Sequence, residues 1–240
     1  LGDITFAVYN RSFLNQTNYL TGQNLSIVQT NAKDRVQDLL SRKQMGFVRV
    51  GVLLHYHAIA LREGLHILDA GRVDDIPTIA EIDIASNIQS LSESKIYQLM
   101  RAFLFRQFSD DSFDIMNLSD SIEAKKMQLR PILAFGIFYE DLMCFLRSIA
   151  ANDPASKATW VSKGQSILTR IRCWREHSSW NWENKVLLLE AMEMHTLGNF
   201  DAAGPLYTSS IRSAHEHKFI HEEAIASELA GDLSYKQGHQ

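Results

Sequence analysis

Three histidines near the C-terminus carry the spacing most like a metal site. His215, His217 and His221 form a His-x-His-x3-His pattern. On one continuous helix, residues 217 and 221 would share a face and could offer two ring nitrogens to zinc. A plainer reading competes with it. The acidic neighbours Glu216, Glu222 and Glu223 suit a helix N-terminus, where carboxylates complement the backbone dipole. His221-Glu222-Glu223-Ala224 is also not the zinc-protease motif, because Ile225 stands where the second histidine belongs. The expectation is therefore no metal and no cofactor, with His215, His217 and His221 kept as minor candidates.

A second constellation is aromatic and basic. Arg170, Arg172 and Arg175 flank Trp174, and Trp180 and Trp182 follow closely. Such interleaving can stack on and clamp nucleic acid, but a net charge of −4 argues against a polyanionic partner. Tryptophan and arginine are equally favoured anchors in protein docking. Trp174, Arg175, Trp180 and Trp182 are thus read as candidate partner-binding residues, set against a core tryptophan with solvated arginines. Catalytic alternatives are thin. His55, His57 and Glu140 could furnish an acid/base cleft in an all-α enzyme. Asp74-Asp75 and Asp110-Asp111 sit among turn residues, and adjacent acids point apart. No glycine-rich phosphate loop, Ser-His-Asp arrangement or cysteine nucleophile context is present.

The elements that must position these residues are helical. Of 240 residues, 45% are hydrophobic and 22% charged, while Gly 12 and Pro 4 are low. Those proportions fit a globular chain poor in turns. Cys144 and Cys173 lie in apolar, helix-like contexts and are expected as buried free thiols, which suits a reducing, cytoplasmic compartment. The longest uncharged apolar run, Val50 to Leu61, contains His55 and His57 and falls short of the ~20 residues a spanning helix needs. No membrane insertion is expected. The chain opens on Leu1 and ends abruptly at Gln240, which reads as a piece of something longer or as a processed product.

Apolar periodicity places the helices. Asp3 to Leu20 reads as the first, stopped by Gly22, and Ser26 caps a second. Phe47, Val50, Leu54, Ala58, Leu61, Leu65 and Leu68 trace one stripe of a third, with Gly71 as its C-terminal cap. Residues 73–94, with Pro77 and scattered isoleucines, read as a connector. Helices resume at Ile96 and run, after a turn at Asp110-Asp111-Ser112, to about Leu129. A strongly apolar helix from Pro131 through Phe138 and Leu142 should be the most buried. Asp153-Pro154 starts the next, and Ser179 opens one that Gly198 ends. The expected organisation is N-terminal helical pairs over 1–72, a connector over 73–94, and a helical array over 95–240.

Leu197-Gly198-Asn199-Phe200-Asp201-Ala202-Ala203, followed by Tyr207, resembles the turn of a tetratricopeptide repeat. Glycine permits the left-handed turn, Phe200 should wedge the pair, and Ala203 should sit where two backbones approach. Pro205 should make the second helix start late or bend. A second glycine turn, at Gly238, comes forty residues after Gly198, against the usual 34. The excess is expected around His215 to Phe219.

The last fifty residues, above all Phe219-Ile220-His221-Glu222-Glu223-Ala224 and Ser227-Glu228-Leu229-Ala230, are similar to the helical region of large signalling proteins. Those proteins combine a protein-kinase-like domain, an AAA-type ATPase, helical repeats and sensor histidine-kinase modules. Lys218 stands where that family has glycine, and Gly204-Pro205 interrupts a helix the family keeps continuous. The resemblance implies an all-α, tetratricopeptide-like solenoid or superhelix of antiparallel pairs. It also implies a non-catalytic interaction or signal-relay segment whose partner is a protein or a neighbouring domain. The alternatives are an all-α enzyme or a ligand-sensing helical domain.

Overall fold

The periodic segments fold as helices. The structure, a computed structural model, describes residues 4–69, 71, 73–84, 87–107 and 131–238. Among them are nine α-helices and no β-strand. They are α1 (Ile4–Leu20), α2 (Leu25–Ser41), α3 (Met45–Glu63), α4 (Ile88–Leu104) and α5 (Pro131–Ala150), then α6 (Pro154–His177), α7 (Ser179–Thr196), α8 (Phe200–Glu216) and α9 (Ile220–Lys236). The turn expected at Asp110-Asp111-Ser112 and the amphipathic stretch to Leu129 lie outside the described residues. No described helix is long and apolar enough to cross a membrane.

Short polar side chains set the helix starts. Asp153 Oδ1 accepts from the Ser156 amide at 2.8 Å, with Pro154 in the first helical position. The cap of α2 is Asn24, which accepts from the Ser26 amide at 2.9 Å, so Ser26 is inside the helix rather than its cap. Asn87 caps α4 at 3.0 Å and starts it within the stretch expected as connector. α3 stops at Glu63, earlier than its apolar stripe implied. Gly64, at φ 103°, ends it, and Leu65–Asp69 continues only as a 3₁₀ turn.

The helix ends share one device. After α1, α2, α4, α7 and α8, a residue in the left-handed region closes a Schellman turn. After α7, for example, Gly198 N–H donates to His195 O at 3.1 Å and Asn199 N–H to Met194 O at 2.9 Å. The left-handed positions are Gly22, Lys43, Arg106, Gly198 and Lys218.

The chain divides into two compact units, 1–136 and 137–240, the boundary falling within α5. In the first, α3 is central and packs on α1, α2 and α4. Its core joins Val36 and Leu39 of α2 to Val48, Val52 and Tyr56 of α3, and closes over them with Ile76 and Ile82. Residues 73–84, expected as part of the connector, are therefore anchored to the core. Tyr56 Oη lies 3.2 Å from Gly71 O and 3.3 Å from Ile76 O, and accepts from the Val73 amide at 3.3 Å. Ile82 and Ile84 form no strand; the isolated bridge is Val73 to Ile76.

In the second unit, α6 packs on α7, α7 on α8, and α8 on α9, while α9 also reaches α7. Phe138 and Leu142 are fully buried, as expected. Gly164 lets α6 approach α5, since a Cβ there would come within 2.9 Å of the Phe145 ring. The thiols differ from expectation. Cys144 is buried, and burial pushes its thiol well above the usual range. Cys173 is exposed, on an outward face of α6.

Candidate functional site

The aromatic and histidine candidates converge at one end of the α6–α9 helices. α6 ends at His177, α7 begins at Ser179, and the α8–α9 turn occupies 217–219. Those termini bring Trp174, Trp180 and Trp182 into reach of the turn residues. Trp174 and Trp182 stack with ring centroids 4.8 Å apart, both half-buried. Trp180 is 61% exposed and lies on the His217 ring at 4.0 Å. His217 is in turn edge-on to Phe219 at 6.2 Å. Ile220, beside Phe219, is also 61% exposed. Arg175 Nε faces Glu183 Oε2 at 3.8 Å. Solvent-facing Trp180 differs from a plain core tryptophan, and the rings form two groups, Trp174 with Trp182 and Trp180 with His217 and Phe219.

The three histidines do not converge on a cation. α8 ends at Glu216, so 217 and 221 belong to different elements and lose the shared face that a continuous helix would give. His215 Nδ1 lies 3.1 Å from Glu223 Oε1 at the surface. His217 stacks on Trp180, and His221 is half-buried in α9, where burial lowers its pKa against the pull of Glu222. No group of three His, Cys, Asp or Glu side chains among the described residues is placed to hold a metal ion.

Beneath the aromatic surface lies a buried ion pair that sequence reasoning missed. Lys185 Nζ is 2.8 Å from Glu222 Oε1, with side chains only 2% and 3% exposed. The same ammonium donates to Asn181 O at 3.2 Å and sits 4.5 Å from the Phe219 ring centroid and 5.8 Å from that of Trp182. Burial lowers the Lys185 pKa, while Glu222 counters it. One cation thereby ties α7 to the turn and to α9. The available signal was register: Lys185 falls on the same face as Leu188, Leu189 and Met192, all fully buried.

The repeat residues lie in the turn between α7 and α8 and along α8, with Gly238 after α9. Gly198 has φ 78° and Gly238 has φ 75°. Ala203 is completely buried, and Tyr207 Oη donates to Met192 Sδ at 3.0 Å beneath His195. Two expectations are corrected. Phe200 does not wedge deeply between the helices. It is 39% exposed and meets the His195 ring edge-on at 5.8 Å, because it is the first residue of α8, at the rim. α8 also does not start late: it begins at Phe200 and continues through Pro205. The proline lies in the second turn and removes only the bond to the Asp201 carbonyl, on an exposed residue. Leu197, 55% exposed, simply closes α7. The forty-residue step from Gly198 to Gly238 comprises Asn199, the seventeen residues of α8, a three-residue turn, the seventeen of α9, and Gln237 and Gly238, so no long insertion occurs at 215–219.

The residues of the enzyme alternative are each engaged within their own unit. His57 is fully buried. Arg101 Nη1 donates to its Nδ1 at 3.2 Å, which makes Nε2–H the donor to Tyr19 Oη at 2.7 Å. Burial brings Arg101 down to about 10. His55 turns to the Gln29 carbonyl at 3.4 Å, and burial lowers its pKa. Glu140 pairs with Lys163 at 3.1 Å. Asp74 and Asp75 are both left-handed turn residues, with Asp74 3.2 Å from Lys33.

Comparison with protein-family models, with curated proteins and with solved structures returned no match.

Proposed function

We propose that this chain is a non-catalytic helical-repeat segment of a larger cytoplasmic signalling protein. In this reading its antiparallel pairs stack as a tetratricopeptide-like solenoid, and its aromatic end docks a protein partner or a neighbouring domain. One observation carries the reading. α7, α8 and α9 are joined by the same left-handed turn at Gly198 and Lys218, twenty residues apart, and that turn presents His217 against exposed Trp180. Repetition of one helix–turn unit supports a stacked array. A solvent-facing tryptophan on a rigid stack supports docking. The similarity of the last fifty residues to the helical region of kinase- and ATPase-containing signalling proteins supports the signalling context.

The test is site-specific photo-crosslinking in cells. A benzophenone side chain at Trp180 is compared with one at Thr208, an exposed position on α8. A discrete protein adduct at position 180 and not at 208 is expected. Equal, diffuse labelling at both positions would set the docking surface aside.

A further inference from the structure

Asp141 lies on the face of α5 that meets α6. It is fully buried, and neither of its oxygens accepts a hydrogen bond among the described residues. Gly164 of α6 closes over it: a Cβ built there would lie 3.1 Å from Asp141 Oδ1 and 2.9 Å from the Phe145 ring. The backbone of α6 thus seals the carboxyl. Other contacts hold the same seam. Lys163 Nζ meets Glu140 Oε1 at 3.1 Å, the Arg147 guanidinium lies over the Trp160 ring at 5.3 Å, and Ser148 Oγ donates to Lys157 O at 3.3 Å. Cys144, nearly one turn beyond Asp141 on α5, is also completely buried, and the charges of Asp141 and Lys163 both bear on its thiol.

The two protonation states of Asp141 make different demands on this seam. The neutral acid fits an apolar crossing at the cost of unmade hydrogen bonds; the carboxylate needs a cation or water. Glu140 on its own helix and Glu193 on α7 both oppose ionisation. The cations belong to α6. Arg172, whose charge favours the carboxylate, is held by Glu190 at 2.9 Å and Glu193 at 3.5 Å, and Lys163 is held by Glu140. Neither makes a hydrogen bond to Asp141. One helix therefore carries both the backbone that excludes water and the cations that could answer the charge. Relief of a carboxylate at Asp141 comes from displacing α6.

We propose that Asp141 is a proton-operated latch between α5 and α6. Protonated, it lets the helices close at Gly164; ionised, it draws in water, displaces α6 and uncovers Cys144, while α8 and α9 stay packed. The latch opens as pH rises. Burial, then Glu140 and Glu193, hold the proton well above the ordinary carboxylate range in the closed state, and the open state releases it within that range. The device lies within the second unit and does not rest on the docking reading.

The experiment alkylates the 240-residue chain with iodoacetamide from mildly acidic to mildly alkaline pH and reads each cysteine by peptide mass spectrometry. Exposed Cys173 is the internal standard for the ordinary rise of thiol reactivity with pH. The ratio of Cys144 to Cys173 labelling rates then reports opening. It should climb about tenfold per pH unit until the closed state ionises too, and Asp141→Asn should hold it flat. Hydrogen exchange of α8 amides measures unfolding of the whole unit. Cys144 should be at least about tenfold less protected than the most protected α8 amides, because a local opening costs less than unfolding the unit. The proposal is overturned by a labelling ratio independent of pH, by an Asp141→Asn variant that keeps the original slope, or by Cys144 protection equal to that of α8.

Discussion

Asp141 is a carboxylic acid in the wrong solvent. It is fully buried in α5, and neither oxygen has a hydrogen-bond partner among the described residues. Burial, then the charges of Glu140 and Glu193, raise its pKa well above the ordinary value, while Arg172 opposes them weakly. The folded state therefore holds a proton that the unfolded chain releases. Stability should fall as pH rises from the ordinary carboxylate range towards the raised native value, because there the folded state binds more protons. Denaturant midpoints at mildly acidic and at neutral pH should show this slope, and Asp141→Asn should flatten it without loss of stability at neutral pH. The Lys185–Glu222 pair makes the opposite case, two buried charges that satisfy each other. Glu222→Ala strands the ammonium and should cost about 3–5 kcal/mol. The double replacement Lys185→Met with Glu222→Leu should recover most of that in the same urea titration.

At the scale of elements, the recurring turn provides its own control. Gly198 and Lys218 occupy equivalent left-handed positions, at φ 78° and 62°. Nothing lies within 4 Å of a Cβ built on Gly198, so Gly198→Ala reports backbone strain alone and should destabilise by about 1 kcal/mol. Lys218 is exposed, so Lys218→Gly relieves strain without losing packing and should stabilise by roughly 0.5–1 kcal/mol. Thermal melts of the two variants should move in opposite directions. Ala203 tests packing and not backbone. It is completely buried on α8, and Ala203→Leu should overpack the helix contact at about 1–3 kcal/mol. An unchanged melting temperature would show slack where the repeat geometry demands close approach.

For the whole molecule, far-UV circular dichroism should be dominated by helix, with strand content well below the ~20–25% of an average globular protein. Helix positions were legible because their signals are local. The 3.6-residue stripe, the Asp153-Pro154 start and the glycine at 198 act through hydrogen bonds spanning four or five residues. Errors arose where a local signal had a local competitor: Gly64 ended α3 although its apolar stripe continued, and Asn24 took the cap assigned to Ser26. Non-local features had no such signature. Lys185 meets Glu222 across thirty-seven residues of chain, and Arg11 and Arg35 line one cleft only because α1 lies against α2. Trp174, Trp180 and Trp182 were identifiable as residues able to anchor a partner. Which of them faces solvent was decided by the stacking of helix ends. The chain by itself determined where backbone hydrogen bonds close within helices and turns. Tertiary structure alone decided which faces meet, and so which charges are buried in pairs, which acid is left without a partner, and which polar side chains line an open cleft.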